Sequence, residues 1–139
     1  MAKITVIGIG PGSLMDMTPR ARKAIEDAQV VAGYHTYIKL VESLLDGKAV
    51  VGTGMMQEID RCRMAVEKAA AGQETVVVSS GDAGVYGMAG LVLELILQRP
   101  EDKQQEFGGK NAGITAVNPA TTNHDAPFKH DFDEHNHKN

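Results

Sequence analysis

The chain has 139 residues, 42% of them hydrophobic, with a formal net charge of -4 and one cysteine. That size and apolar fraction suit one domain with a real core, and the acidic balance without a Lys/Arg cluster argues against a nucleic-acid or anionic-membrane surface. Cys62 alone cannot form an internal disulfide or a multi-thiolate zinc site, so it reads as a small apolar helix residue in a reducing, cytoplasmic setting. The apolar run Leu91–Leu97 is too short to cross a bilayer and contains Glu94, and no signal-peptide core separates Met1 from the first strand. The expectation is a soluble protein.

Ile4, Thr5, Val6, Ile7 and Ile9 predict a first buried strand that runs into the loop Gly10, Pro11, Gly12, Ser13, giving VIGIGPGS. The G-x-G-x-G spacing, with Pro11 lacking an N–H, is not the G-x-G-x-x-G dinucleotide fingerprint, whose third glycine packs a helix at once. Here Leu14–Met17 intervene before Thr18-Pro19, an N-cap with proline at the first helical position, which opens a helix carrying Ala21, Ala24, Ile25 and Ala28 inward. A loop of that length reads either as a plain crossover or as a wall of a cleft, and the second reading is favoured.

Gln29–Ala32 predict a second strand broken by Gly33, with Tyr34, His35 and Tyr37 clustered just past its carboxyl end. Ile38, Leu40, Val41, Leu44 and Leu45 predict a short helix ended by Asp46-Gly47, and Lys48–Val51 a third strand punctuated by Gly52, Thr53 and Gly54. Met55 and Met56 are expected at a core edge. Ile59, Cys62, Val66 and Ala69 define the inner face of a third helix, with Glu58, Asp60, Arg61, Arg63 and Lys68 elsewhere and Gly72 as terminator.

Thr75–Ser79 is a β-branched run without alternation, the pattern of a central parallel strand covered on both faces. Ser80, Gly81 and Asp82 end it, and from Val85 apolar residues recur at helical spacing while Gly84, Gly87 and Gly90 keep one face small enough for a backbone or a ligand to approach. Asp82 fits equally as an N-cap of that helix and as a ligand contact, because ligands of open α/β sheets bind beyond the carboxyl ends of strands. The alternation of strands and helices implies right-handed crossovers and an α/β fold with a mainly parallel open sheet and flanking helices. After Pro100 the pattern fails in EDKQQEFGGKNAG, so residues 1–117 are expected to form the α/β domain, with 100–117 poorly defined, and 118–139 a disordered polar tail. His124, His130, His135 and His137 lie in that tail among acids, but without a scaffold they fix no geometry, and no metal site is expected.

Taken together, VIGIGPGS and VVSSGDAGVYGMAG resemble the tetrapyrrole methylases, the S-adenosylmethionine-dependent enzymes of cobalamin and sirohaem synthesis. VAGYHTYIKLV is most similar to the precorrin-3B C17-methyltransferase branch, also called cobalt-factor III methyltransferase. The resemblance runs from Lys3 to about Arg99 and thins to NAGITAVN and APFKHDF. It implies the N-terminal domain of a fold with two α/β domains, S-adenosylmethionine held in the cleft between them, and a precorrin or cobalt-precorrin alongside, methylated at C17 with ring contraction. Pro11, Ser80, Gly81, Asp82, Val85, Thr115 and Ala116 match the family's donor-binding positions, and Gly10–Ser13 the substrate-cleft loop. Ala112 stands where the family usually has a proline. Should the chemistry need a base, Tyr34, His35 and Tyr37 are the nearest candidates, although a lone histidine at a strand end is more often structural. The alternative is a non-catalytic donor-binding or oligomerisation fragment. Either reading implies a homodimer or pairing with a second domain, and a half-cleft alone is expected not to turn over a corrinoid.

Overall fold

The computed structural model describes residues 3–9, 17–107 and 114–117, with only the backbone of Asp82 and Ala83. Its elements run β1 (Ile4–Gly8), α1 (Pro19–Asp27), β2 (Val30–Tyr34), α2 (His35–Leu40), β3 (Ala49–Thr53), α3 (Glu58–Ala70), β4 (Thr75–Ser79), α4 (Asp82–Leu97), α5 (Glu101–Gln104) and β5 (Ile114–Val117). The strands form one sheet in the order β3-β2-β4-β1-β5, and every neighbouring pair is parallel. The expected α/β architecture is therefore present. The proposed tail, 118–139, lies outside the described residues.

Strand alternation divides the core into two layers. Ile4 and Val6 of β1, Ala32 of β2, Val77 of β4, and Ile114 and Ala116 of β5 point to a cluster shared with α3 and α4. Ile7, Val31, Val76, Val78 and Val117 point the other way, to Ala21 and Ile25 of α1 and to Val41 and Leu45 after α2. Because β1 and β4 are covered on both faces, all their residues are buried, which is why they read as unbroken β-branched runs.

Local signals account for several boundaries. Thr18 caps α1, its Oγ1 accepting from the Ala21 N–H at 3.1 Å, with Pro19 at the first helical position. Lys48 Nζ donates to the carbonyls of Glu26 at 2.9 Å and Ala28 at 2.7 Å, satisfying groups left open by the end of α1. Gly72 ends α3 at φ +95°, a conformation that costs other residues strain.

Other expectations are corrected. Gly33 does not break β2, which continues to Tyr34; a Cβ at Gly33 would stand 3.3 Å from both Ile38 Cδ1 and Val78 Cβ, so the glycine serves packing. β3 likewise runs through Gly52 to Thr53, and α2 begins at His35, earlier than its apolar pattern suggests. On α3, Ile59 is exposed and Arg61 buried, the reverse of expectation, with Ala65 completing the inner face. Met55 and Met56 are 73% and 85% exposed, so neither packs a core edge.

The segment after Pro100, which shows no periodic pattern, is nonetheless anchored. Phe107 is fully buried in the layer of α3 and α4. The Arg99 guanidinium lies 6.0 Å from its ring centre and pairs with Glu67 at 3.2 Å and Glu106 at 3.3 Å, tying the end of α4 to α3. β5 then pairs with β1 from Ile4↔Ile114 to Ile7↔Val117. Phe107→Ala is expected to cost about 3–5 kcal/mol, a fall in melting temperature on the order of 10 °C or more. Glu106→Gln should change stability by less than about 1 kcal/mol, since its pair is partly exposed. Thermal melts followed by circular dichroism compare the two, and a Phe107→Ala chain melting with the parent would show that this anchor is not used.

Candidate functional site

The connections leaving β1 and β4 pass to opposite faces of the sheet. β1 leads to α1 in one layer and β4 to α4 in the other. Adjacent parallel strands with diverging connections open a crevice at their carboxyl ends, the usual ligand position in open α/β sheets. Gly8 stands opposite Ser79, and the pairing extends one step further through the Ile9 N–H donating to the Ser79 carbonyl at 3.1 Å.

The bend from β4 into α4 is built on small residues. Gly81 caps α4, and among the described residues no atom lies within 4 Å of where its Cβ would be. Gly84 is the opposite case: a Cβ there would meet Ser79 Oγ at 2.6 Å and Ser80 Oγ at 2.9 Å. The two hydroxyls are thus packed against the first turn of α4, and only glycine lets the helix come this close. Among the expected donor-binding residues, Ser80, Gly81 and Asp82 gather here. Ser80 is exposed. Asp82 is the first residue of α4, so the cap is Gly81; the Asp82 side chain is outside the described part.

Val85 belongs to the same turn in another role. Its side chain is fully buried, and its N–H donates to the Gly81 carbonyl at 2.9 Å, closing the first turn of the helix. Thr115 and Ala116 are not brought to this turn. They lie within β5, level with Thr5 and Val6 of β1, and therefore with Val76 and Val77 of β4. Ala116 stands two residues below the level of Ser79, about 7 Å along the strand direction, and is buried beneath the helices. Thr115 instead lines a groove on the α1 side with Lys3, Thr5, Lys23 and Glu74. Gly10, Pro11, Gly12 and Ser13 lie outside the described residues.

The three rings past β2 form a loose group. Tyr34 and Tyr37 meet edge to face with centroids 5.6 Å apart. His35 is exposed, with Nδ1 only 3.0 Å from where a Cβ of Gly52 would be. Its ring thus lies against β3, a packing role that periodicity could not reveal.

Cys62 is fully buried, its Sγ 3.0 Å from Met88 Sδ. Burial raises its pKa from 9.0 to about 12, partly offset by the Arg61 charge and reinforced by Glu58. A raised thiol pKa leaves the protonated, unreactive form dominant at neutral pH. Among the described residues, no group of three or more His, Cys, Asp or Glu gathers as a metal site, and no helix is long and apolar enough to cross a membrane.

Residues 3–138 match the model of the Tetrapyrrole (Corrin/Porphyrin) Methylases. The chain belongs to this family. It is 46% identical over 129 residues to the "Probable cobalt-factor III C(17)-methyltransferase" of Salmonella typhimurium, covering 93% of this chain and 52% of the relative. Against the cobalt-factor III methyltransferase of Priestia megaterium the identity is 43% over 130 residues, 93% of this chain and 24% of the relative. The precorrin-3B C(17)-methyltransferase of Sinorhizobium sp is 35% identical over 127 residues, 91% of this chain and 50% of the relative. The chain thus spans about half or less of the length of these relatives. The crystal structure of the methyltransferase CobJ superposes with a TM-score of 0.66 at 31% identity, covering 85% of this chain and 45% of that one. The cobalt precorrin-4 methyltransferase CbiF, at 24% identity and a TM-score of 0.58, shares the fold.

Two tests follow from this geometry. Gly84→Ala should push α4 away from Ser79 and Ser80 and destabilise the chain by about 1–3 kcal/mol, the usual cost of overpacking; denaturant melts check it, and an unchanged midpoint would show that the contact relaxes freely. At about pH 8, Cys62 should resist a thiol reagent in the native chain and react at once in denaturant. Rapid labelling of the folded chain would contradict the burial.

Proposed function

We propose that this chain binds S-adenosylmethionine at the carboxyl ends of β1 and β4 and serves in methylation of C17 of precorrin-3B or cobalt-factor III during corrin ring construction. The observation that carries the proposal is the match over nine-tenths of the chain to relatives named for that reaction. The site chemistry is compatible with it. Among the described residues nothing crowds the Cβ position of Gly81, which suits the main-chain approach a large donor needs, and the crevice lies where adjacent connections diverge.

When bound, S-adenosylmethionine supplies an electrophilic methyl group on a sulfonium centre. Transfer of that methyl is an in-line displacement, so the chain's part is to orient, to exclude water and to balance charge. Ser80 and Gly81 would present main-chain and hydroxyl groups to the polar ends of the donor, and Asp82 would accept a hydrogen bond from it. Val85, buried beneath the turn, holds these groups in place through the first helical bond of α4. Pro11 matches a donor-binding position of the family, and Gly10, Gly12 and Ser13 its substrate-cleft loop. Tyr34, Tyr37 and His35 lie along the same edge and could border the substrate; none is assigned a proton-transfer role. The cleft is completed by a partner surface, either a second domain or a second copy of the chain, and the working compartment is the cytoplasm.

Asp82→Ala should weaken S-adenosylmethionine and S-adenosylhomocysteine binding by on the order of 1–3 kcal/mol, the cost of losing a hydrogen-bond acceptor to the donor. Calorimetry on the parent and variant chains measures it. Binding by the parent with equal affinity in the variant would remove Asp82 from the site, and no binding by the parent would remove the proposal.

A further inference from the structure

Most of the exposed large apolar side chains among the described residues belong to β3 or to the elements beside it. They include Leu40 at the end of α2, Val50 within the strand, Met55 and Met56 in the turn after it, and Met64 on α3. β3 is an edge strand, and among the described residues its ladder runs on one side only, to β2. Sheet edges are normally protected by a charge or a proline, because their open N–H and C=O groups invite another strand. β3 reads Ala-Val-Val-Gly-Thr and has neither. Lys48, just ahead of it, is turned away, its Nζ donating to the carbonyls of Glu26 and Ala28.

The cover on both faces thins toward this edge. Val50 stands level with Val31 and shares its face, yet Val31 is fully buried and Val50 is 44% exposed. On the other face, α3 leans over β3 through Arg61, whose Nε donates to Thr53 Oγ1 at 2.9 Å. Three residues on from Arg61, and so on the adjoining surface of the helix, Met64 is 45% exposed. One turn to either side of Met64 stand Asp60 and Lys68, both exposed, so a row of acid, methionine and base runs along this flank of α3. Asp60 lies 3.7 Å from Arg63, but both side chains of that pair are open to water and the pair holds little.

That row is its own complement. A two-fold rotation that sets Met64 against the Met64 of a second chain also sets Asp60 against that chain's Lys68, and Lys68 against its Asp60. A two-fold axis normal to the sheet, just outside β3, places β3 antiparallel to its copy with their open N–H and C=O groups facing each other. The same rotation keeps each helical layer on its own face of the sheet. The two α3 helices then run antiparallel, side by side over the joined edge, while the two Val50 side chains approach each other on the opposite face.

We propose that two copies of this chain associate through β3 and α3, joining two five-stranded sheets into one, with Met64 and Val50 at the centre and Asp60 paired to Lys68 on either side. A specific dimer buries about 1,200 Å² or more in total. The strand edge supplies only part of that area; the α3 row and the exposed turn at Met55 and Met56 extend it. The inference stands apart from the methyltransferase reading and bears on it in one respect. Antiparallel joining points the carboxyl ends of the second sheet the other way, and β2 and β3 separate the joined edge from the crevice at β1 and β4. A second copy bound here therefore leaves the crevice open, and closing the cleft falls to a second domain.

Sedimentation velocity on the 139-residue chain, over about 1–300 µM, tests the contact. The parent should show a concentration-dependent monomer–dimer equilibrium. Met64→Glu sets two carboxylates together at the axis and should weaken dimerisation on the order of tenfold or more. Asp60→Lys and Lys68→Glu should each do the same by placing like charges face to face. Mixed with each other, these two variants should pair, because one then offers only bases to the row and the other only acids; the double variant should dimerise as the parent does. Leu97→Lys alters an equally exposed apolar position on α4 and should leave the equilibrium unchanged. Amide exchange within Ala49–Thr53 should slow as the parent dimerises. A parent that stays monomeric throughout, or forms only aggregates of no fixed size, overturns the proposal. So does a dimer that Met64→Glu and the single charge reversals leave intact, or that Leu97→Lys disrupts equally. Failure of the two reversals to pair when mixed, or unchanged exchange in β3, overturns it as well. Every altered side chain is exposed, circular dichroism checks folding, and if one variant misfolds the remaining ones decide.

Discussion

The parallel pairing of β1 with β4 is the constraint on which the site depends. These strands are far apart in sequence yet join in register from Ile4↔Thr75 to Gly8↔Ser79. Their ends coincide, so the chain leaves Gly8 and Ser79 at the same level of the sheet edge. Burial on both faces enforces the register, since a slip of one residue would exchange the residues serving the two helical layers. Such a slip would also turn the Ser79 hydroxyl away from α4 and set the larger Val78 against Gly84. Packing energy in the core thus determines the geometry of a polar turn at its edge.

At that edge, glycine repeatedly replaces a side chain to admit a neighbour. Gly84 receives the hydroxyls of Ser79 and Ser80, and Gly52 receives the ring of His35. In each case the neighbour comes from a different element, so these contacts lock the orientation of one element against the next. They also explain why strands persist through glycines that look like breaks. In a sequence window, Gly33 and Gly52 weaken a strand; in the sheet, their backbone groups remain in the ladder and the missing Cβ is occupied space.

This contrast marks what was legible in the sequence. β4 and the start of α1 are encoded by short-range chemistry: an uninterrupted β-branched run, and a threonine followed by proline. Their boundaries could be read directly. The inner face of α3 was legible for Cys62, Val66 and Ala69, whose burial follows helical spacing, but not for Arg61, whose partner Thr53 belongs to another element. Phe107 was hidden for a related reason: one aromatic residue in a polar stretch has no period, and only the cavity left by α3 and α4 gives it a place. Of the candidate site, the turn at Ser80, Gly81 and Asp82 was visible as a strand ending in small residues. The placement of Thr115 and Ala116 below the edge required the β1–β5 register, which no local pattern carries.

Charge completes the description of this edge. The N-terminus of α4 presents a partial positive charge at the end of β4, and Arg61 places a full one on the same side of the sheet. An acid at the first position of α4, where Asp82 stands, complements the helix dipole, so the turn that ends β4 combines a favourable electrostatic start with the small residues that let the helix approach.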